Sequence, residues 1–473
     1  MIGVWKYTLP SAVLFCLAGC AVQKYHAAPI DANVAASRFE SRNLNDPGLK
    51  AFEEENLGHE ISPWPPESWD LQKLSLAALY FNPTLESARA RIASTKAALV
   101  TVAARPNPTL SIAPGIPSPY LLTLDFAIPI ETAGKRSLRI EIARSLDEAA
   151  RFDLADSAWT IHSAVRTALL NHVLASRAVG LFRSEENVRD DQIRILEEML
   201  SAGEIAGQTV DLARSERNKT HLALVVAEGQ VSETKAAVAA ALGIPLSAVQ
   251  SLAFTWPGID ILPRAESLSF EEIKRQAVLN RLDLRRSLSQ YAAAEATLQL
   301  EIAKQYPDIN IGPGYTFEER HNFFTLGLST TIPLFNRNQG PIAEAEAHRM
   351  EASTAFLEKQ AQAITRSERA LAAYSAAVNE QAEVQSFSKL QDSQLQILQD
   401  AIRAGNDNRF SLDSVEIQSW VLERAQLDAL SRVRKTFGEL EDAVQRPLDP
   451  GEKFIIAPES PALRPPVKHE ARR

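Results

Sequence analysis

The sequence predicts a mostly α-helical protein with a transmembrane β part, built from a duplicated unit of two strands followed by a long α-helical hairpin. Three observations lead to this fold class: an internal repeat, short segments of alternating hydrophobicity, and very long stretches without proline. A repeat with a period this long indicates a duplicated structural unit, and each unit has to supply both the strands and the helices.

The repeat is visible as matched segments at a nearly constant spacing. Residues 108–115 match residues 307–314 at an offset of 199, and residues 122–130 match residues 326–334 at an offset of 204. Ala202-Gly203 and Ala404-Gly405 match at an offset of 202. Because loops tolerate insertions, the five extra residues of the second copy are predicted to lie in a loop over residues 315–323.

The strands are predicted at about 108–130 in the first copy and about 307–334 in the second. Apolar and polar residues alternate there over about ten residues, which is the length and pattern of a strand with lipid on one side and a polar interior on the other. An open alternative is a half-buried strand in a water-soluble sheet. The predicted lipid-facing side chains are Leu122, Leu124, Phe126, Ile128, Leu326, Leu328 and Ile332.

The helices are predicted from proline-free stretches rich in helix-forming residues. No proline occurs between Pro129 and Pro245, or between Pro341 and Pro447. A helix over 137–201 would be roughly 100 Å long at about 1.5 Å per residue, a length that suits a tube or a coiled coil. Gly203 and Gly405 interrupt the two stretches, and glycine just beyond a helix end is a common cap, so a helical hairpin turns at each. The predicted helices are 84–104, 137–201 and 211–242, then 270–305, 342–402 and 413–442.

The N-terminal segment predicts export. An apolar stretch of eleven residues, 7–17, is too short to span a membrane but suits a signal peptide. The Leu-Ala-Gly-Cys sequence that follows resembles a bacterial lipobox, which makes Cys20 the predicted lipidation site; an ordinary signal peptide is the alternative. The predicted domains are a signal peptide at 1–19, a lipid-anchored, extended arm at 20–66, repeat 1 at 67–265, repeat 2 at 266–446, and a proline-rich tail at 447–473.

Composition excludes several functional classes. The formal net charge of −9 argues against a nucleic-acid-binding protein. Both cysteines lie in the first twenty residues, so the rest of the chain has neither a disulfide nor a thiolate site. No phosphate-binding loop, zinc-protease motif or nucleophile elbow occurs. We therefore expect no catalytic residues, no cofactor and no metal site.

Local phrases of the sequence resemble the TolC-like family of outer-membrane efflux factors. The resemblance covers roughly residues 67–446 and follows the duplicated order of helix, two strands and helical hairpin. The phrases that carry it are 82–85 (NPTL), 105–110 (RPNPTL), 128–136 (IPIETAGKR), 332–338 (IPLFNRN) and the turns 202–204 (AGE) and 404–406 (AGN). The phrase 130–136 is most similar to the branch that serves heavy-metal cation exporters.

The resemblance implies an assembly and partners. It implies a homotrimer whose twelve strands close a barrel that continues as an α-helical periplasmic tunnel. A closed barrel agrees with the physical argument that four strands alone leave two open edges, which lipid does not tolerate. It also implies a periplasmic adaptor protein, an inner-membrane pump of the RND type, and a location in the outer membrane, where the chain would be a passive duct for small solutes.

The resemblance also implies site residues. Acidic residues after the second hairpin turn narrow the periplasmic aperture in this family, and Asp413 and Glu416 occupy the matching positions here, with Asp211 as the first-copy equivalent of Asp413. A ring of three carboxylates would attract cations. The alternative is that these are helix-start acids in solvent. The turns at Gly203 and Gly405 are the predicted adaptor-docking tips.

Two other functions stay open from the sequence. One is a lipid-anchored periplasmic coiled-coil scaffold or adaptor without a pore, in which the strands would belong to a soluble sheet. The other keeps the duct but pairs it with a protein-secretion or drug-efflux pump.

Overall fold

The computed structural model of the chain describes residues 23–116, 121–261, 269–405 and 409–449. It divides into two compact units, Met1–Arg42 and Asn43–Arg473. The predicted signal peptide, Cys20 and the tail from residue 450 onward lie outside the described residues. In the first unit, helix α1 spans Ala32–Glu40, and the Asp31 side chain caps it by accepting hydrogen bonds from the backbone N–H groups of Asn33 and Val34.

The second unit contains the duplicated elements in the order that the repeat predicts. The first copy consists of α3 (Leu71–Phe81), α4 (Pro83–Ala103), β2 (Thr109–Gly115), β3 (Leu121–Ile130), α5 (Lys135–Ser201) and α6 (Gly207–Leu242). The second consists of α7 (Phe270–Asn280), α8 (Leu282–Ala303), β5 (Ile309–Glu318), β6 (His321–Thr330), α9 (Gln339–Arg403) and α10 (Arg409–Val444). The remaining elements are α2 (Pro47–Leu57), a short 3-10 helix (Leu246–Ala248) and the short parallel pair of β1 (Ser68–Trp69) with β4 (Ala253–Phe254).

The lengths of corresponding helices are closely matched. Helices α3 and α7 both have 11 residues, and α6 and α10 both have 36. The longest helices, α5 and α9, have 67 and 65 residues. Left-handed backbone conformations also recur at equivalent junctions, with the pairs Gly134 and Asn338, Gly203 and Gly405, and Gly243 and Gln445. The duplication therefore extends to the turns that connect the helices.

Each copy packs its own hydrophobic core around the middle part of its longest helix. The first core gathers large apolar side chains from α3, α4, α5 and α6, among them Leu74, Leu85, Leu169 and Leu242. The second gathers residues of α7, α9 and α10, with Tyr374 and Phe437 in ring contact at 5.3 Å. Burial of these side chains is the main stabilising contribution to both helix clusters.

A buried charge network joins the two copies. Arg166 on α5 donates hydrogen bonds to Glu441 and Asp442 on α10, each at 2.8 Å, and to the carbonyl oxygen of Gly438 at 2.8 Å. A β-carbon at position 438 would lie 3.0 Å from the Arg166 guanidinium, so a glycine leaves room for the arginine.

Several predictions about local structure were wrong. The predicted helix 270–305 is broken at Arg281, whose extended backbone separates α7 from α8. Its counterpart Asn82 separates α3 from α4 in the same way, and α3 was not predicted at all. The segment 315–323, predicted to be a loop, belongs largely to β5 and β6, so the insertion lengthens a hairpin. Residues 32–57 of the arm, expected to be extended, hold helices α1 and α2.

The last strand of the sheet ends earlier than predicted. Strand β6 stops at Thr330, so Ile332, which was assigned to the lipid-facing strand set, lies beyond the strand. Pro333 follows it directly, and proline cannot donate to a strand ladder. Within the described ranges, no helix combines the length and apolar character that crossing a membrane requires.

Candidate functional site

The four long strands form one antiparallel sheet in the order β2-β3-β5-β6. Leu124 is opposite Ile112 on one side and Tyr315 on the other. Residues directly opposite in an antiparallel pair lie on the same face, so the register places the alternating residues of all four strands on two distinct faces.

One face of this sheet is apolar and the other is mostly polar or small. The apolar face carries Leu110, Ile112, Pro114, Leu122, Leu124, Phe126, Ile128, Ile130, Ile309, Ile311, Pro313, Tyr315, Phe317, Phe324, Leu326 and Leu328, with Asn322 and Thr330 as polar exceptions at its ends. The polar face carries Thr109, Ser111, Ala113, Gly115, Thr123, Asp125, Ala127, Asn310, Gly312, Gly314, Thr316, Glu318, His321, Thr325, Gly327 and Ser329, with Leu121, Pro129 and Phe323 as larger apolar exceptions. Leu326 and Leu328 are 79% and 72% exposed, so this chain leaves a broad apolar surface uncovered.

The hairpin of β5 and β6 turns at Glu319 and Arg320. Both residues have positive φ angles, 46° and 71°, and Glu318 pairs with His321 directly across the turn. A two-residue turn of this kind matches the right-handed twist of the strands, but it is usually built from asparagine and glycine. Because Glu319 and Arg320 are neither asparagine nor glycine, the residues at this position do not predict a turn.

The segment 128–136 connects the sheet to α5. The Lys135 ammonium lies 2.7 Å from Asp308 Oδ1 and donates to the Tyr306 carbonyl oxygen at 2.6 Å. The Thr132 backbone N–H also donates to Asp308 at 3.0 Å. Burial would raise the pKa of Asp308, but the hydrogen bonds from Lys135 and Thr132 outweigh it and hold that pKa below its ordinary value.

At the opposite end of α5, the first hairpin turns at Gly203. Gly203 has φ +76°, and the backbone N–H of Glu204 donates to the carbonyl oxygen of Met199 at 2.9 Å, which is the Schellman arrangement. Gly405 has the equivalent conformation at the end of α9, with φ +77°. Among the described residues, a β-carbon would meet no atom within 4 Å at either glycine, so neither position is packed against another part of the chain described here.

The second hairpin brings Asp413 and Glu416 together around an arginine. Arg409 Nε lies 2.8 Å from Asp413 Oδ1, and the Arg409 guanidinium lies 3.9 Å from both Glu416 and Asp191. The Asp413 side chain is completely buried within its own chain, whereas Glu416 is partly exposed. One cation of α10 therefore faces three carboxylates, of which Asp191 belongs to α5.

Burial dominates the electrostatics of this group. It raises the pKa of Asp413, repulsion from Asp191 acts in the same direction, and Arg409 opposes both. Burial also raises the pKa of Glu416, and Asp413 adds to this effect, again against Arg409. The two carboxylates thus hold protons more strongly than exposed acids do, and their ionised forms depend on Arg409.

Asp211 does not take the corresponding place in the first hairpin. Its carboxylate is 76% exposed and lies 3.6 Å from Arg214, the next basic residue on the same helix. The structure therefore joins Asp413 and Glu416 in one cluster and leaves Asp211 apart on the surface of α6. Sequence reasoning missed Arg409 and Asp191. The spacing of four residues between Arg409 and Asp413 could have indicated an ion pair on one helix face.

The long helices are arranged in the order α6-α5-α10-α9. Helix α5 packs against α6 and α10, and α10 packs against α9. Exposed apolar side chains occur on both outer helices: Leu212, Leu222 and Val226 on α6, and Leu357, Phe387, Leu390 and Ile397 on α9. Across the described ranges, no three histidine, cysteine or acidic residues cluster in a way that could hold a metal ion.

Sequence comparisons identify a relative of this chain. No protein-family model matches the sequence. The cobalt-zinc-cadmium resistance protein CzcC of Cupriavidus metallidurans is 27% identical over 276 residues, which cover 58% of this chain and 64% of CzcC. The chain thus matches less than two thirds of the length of that relative.

Two solved structures have similar backbones. The transmembrane channel protein CusC has a TM-score of 0.62 at 17% identity, covering 82% of this chain and 95% of CusC. The outer membrane protein VceC from Vibrio cholerae has a TM-score of 0.63 at 19% identity, covering 80% of this chain and 99% of VceC. These likenesses confirm the predicted fold class.

Proposed function

We propose that this chain, which has the fold of the TolC-like outer-membrane efflux channels, is the channel subunit of a tripartite efflux system. It acts as a passive duct for small solutes and works as a homotrimer in the outer membrane. The observation that carries the proposal is the four-stranded sheet, because it combines an apolar face with two unpaired edges.

The unpaired edges require partners. Strands β2 and β6 are the outer strands of the sheet, and each pairs on one side only. In hydrocarbon, the free backbone groups of such an edge would be unsatisfied, at a cost of several kcal/mol each. If β6 of one copy pairs with β2 of the next, three copies give twelve strands with no free edge. The apolar face then contacts lipid and the polar face lines the pore.

The helices support the same assembly. In the order α6-α5-α10-α9, the outer helices of one chain carry exposed apolar side chains that a second copy would cover. A head-to-tail contact between α9 of one copy and α6 of the next closes into a ring when the rotation is 120°. The tunnel wall would then contain twelve helices below the twelve strands.

We place the periplasmic aperture at the second hairpin. Asp413 and Glu416 follow its turn, and three copies would present rings of carboxylates that favour cations. In the described conformation Asp413 is buried beside Arg409, so the carboxylate reaches the pore only when α10 separates from α5. Asp211, already exposed on α6, would add its charge at the same end.

The partners and the substrate complete the proposal. The turns at Gly203 and Gly405 are the proposed docking tips for a periplasmic adaptor, which connects the duct to an inner-membrane pump of the RND type. The relative CzcC is named for resistance to cobalt, zinc and cadmium. We therefore propose divalent heavy-metal cations as the exported solutes. Lipidation at Cys20, outside the described residues, would anchor the N-terminus to the membrane.

Cell fractionation tests the duct directly. The protein is expected in the outer membrane and, without boiling, as a trimer that resists mild detergent. Recovery as a detergent-sensitive monomer in the soluble fraction would instead support a coiled-coil scaffold without a pore. Deleting the gene is expected to sensitise cells to cobalt, zinc or cadmium. Sensitivity to dyes and antibiotics alone would assign the duct to a drug pump.

A further inference from the structure

The polar face of the sheet carries an isolated carboxylate near the middle of its strands. Asp125 is the fifth of ten residues in β3 and lies opposite Ser111 and Gly314. Both ends of the strand are therefore well over 10 Å away at about 3.3 Å per residue. A charge at this depth has to face water or a partner charge, since exposure to hydrocarbon costs several kcal/mol.

The sheet makes room for this carboxylate. A β-carbon on Gly314 would lie 2.5 Å from Asp125 Oδ1 and 2.4 Å from Thr325 Oγ1, distances that no real side chain could accept. The Asp125 carboxylate and the Thr325 hydroxyl therefore lean over Gly314 from the two neighbouring strands. The residues that follow on the same face are Ala127, Gly312 and Gly327. Because all three are small, they leave the pore side of the sheet open.

The charge on this face is unbalanced. In the four strands as the structure describes them, the polar face has carboxylates at Asp125 and Glu318 and contains neither lysine nor arginine. His321 lies beside Glu318 at the outer end, far from Asp125 along the strand. Nothing in the strands themselves offsets the Asp125 charge.

We propose that Asp125 determines the cation preference of the pore within the barrel, with three copies forming a ring of carboxylates flanked by the Thr325 hydroxyls. This inference rests on the proposed function, because only a closed barrel makes the polar face a pore lining. The ring does not hold a cation in a fixed site. It raises the local concentration of hydrated cations, including divalent metals, and lowers that of anions.

Reversal potentials across planar lipid bilayers test the proposal. The purified trimer is placed in a KCl gradient at low salt, near 0.01 M, where the Debye length is about 30 Å. Asp125→Asn is expected to lower the ratio of potassium to chloride permeability by roughly two- to fivefold, from Coulomb energies of three charges across a water-filled pore. Near 1 M salt, where the Debye length is about 3 Å, the difference in permeability ratio between the wild type and Asp125→Asn should vanish.

Matched variants isolate the charge. Asp125→Glu keeps the carboxylate and should keep the wild-type ratio, and Asp125→Ser provides a second neutral variant if the asparagine impairs assembly. Glu319→Gln removes a carboxylate from the turn outside the strands and should change the permeability ratio less than the neutral variants of Asp125 do. All four proteins retain Asp413 and Glu416, so the periplasmic mouth is constant.

The outcomes separate this inference from the proposed function. Normal conductance with an unchanged permeability ratio in both neutral variants would overturn the role of Asp125 and leave the duct intact. If neither the wild-type trimer nor the Arg409→Ala trimer, whose periplasmic mouth is expected to be open, produces any conductance, the duct itself is overturned.

Discussion

Lys135 and Asp308 form an ion pair of 2.7 Å that joins the start of the first long helix to the residue preceding the third strand of the sheet. The two residues are separated by the whole of α5 to α8 in sequence, so the pair connects the two copies at the junction of sheet and helices. The Lys135 side chain is almost fully buried there. In the proposed assembly this junction lies at the inner surface of the outer membrane.

Replacing Lys135 with methionine should destabilise the junction. The substitution keeps the packing of the aliphatic stem but removes the bonds to Asp308 and to the Tyr306 carbonyl oxygen, at a cost of about 1–3 kcal/mol. Thermal dissociation of the detergent-solubilised protein measures the loss. Arg183→Met breaks the exposed pair with Glu228 and should cost at most about 1 kcal/mol. Equal effects of the two variants would contradict a structural role for Lys135.

Glu53 should make stability depend on pH. It lies on α2 with both carboxylate oxygens buried and no hydrogen-bond partner among the described residues. Burial raises its pKa from 4.5 to about 8, opposed by Lys73 and supported by Asp70. The folded protein thus binds the proton more tightly than the unfolded chain. Its contribution to stability is complete below pH 4.5 and is lost as the pH rises through about 8.

Thermal denaturation between pH 5 and pH 9 measures the Glu53 effect. Glu53→Gln removes the titrating group with little change of shape, so this variant should be the more stable protein at pH 9 and should lose less stability on alkalinisation. Glu60→Gln, at an exposed position, should behave like the wild type. A Glu53→Gln profile parallel to that of the wild type would show that Glu53 does not titrate in this range.

Two glycines with the same backbone conformation should differ in their tolerance of alanine. Gly203 and Gly243 have φ angles of +76° and +73°, but a β-carbon at position 243 would lie 3.1 Å from the Asn82 α-carbon. Gly203→Ala carries only the conformational cost, about 1–2 kcal/mol, whereas Gly243→Ala adds a backbone clash. Denaturant unfolding should rank Gly243→Ala as clearly less stable, and the reverse order would contradict the close approach.

Removing Arg409 should open the periplasmic mouth. Without its guanidinium, Asp413 loses its ion pair, and the end of α10 loses the contact between Arg409 and Asp191 that links it to α5. Arg409→Ala is therefore expected to increase single-channel conductance and the entry of large antibiotics into cells. Arg403→Ala removes an exposed arginine paired with Asp400 and serves as the control. If Arg409→Ala leaves the conductance unchanged, the contacts of Arg409 do not hold the periplasmic aperture closed.

The long helices could be predicted from the sequence because proline and glycine mark their ends. Features that depend on packing could not be predicted. The break at Arg281 has no proline or glycine; its guanidinium donates to the Ala443 carbonyl oxygen, while the counterpart Asn82 donates to that of Ala241. The turn at Glu319 and Arg320 lacks the usual residues, and the pairing of Arg409 with Asp191 depends on how α10 packs against α5. Such contacts become visible only when distant segments are brought together.

Fluorescence quenching by brominated lipids tests most directly whether the apolar face of the sheet contacts hydrocarbon. A tryptophan is introduced at Leu328, on the apolar face, or at the neighbouring Ser329, on the polar face, and the protein is reconstituted into brominated vesicles. The native tryptophans give a background common to both variants. If the apolar face contacts lipid, Leu328→Trp should show strong additional quenching and Ser329→Trp little. Equal quenching of the two variants, or none in either, would contradict this contact.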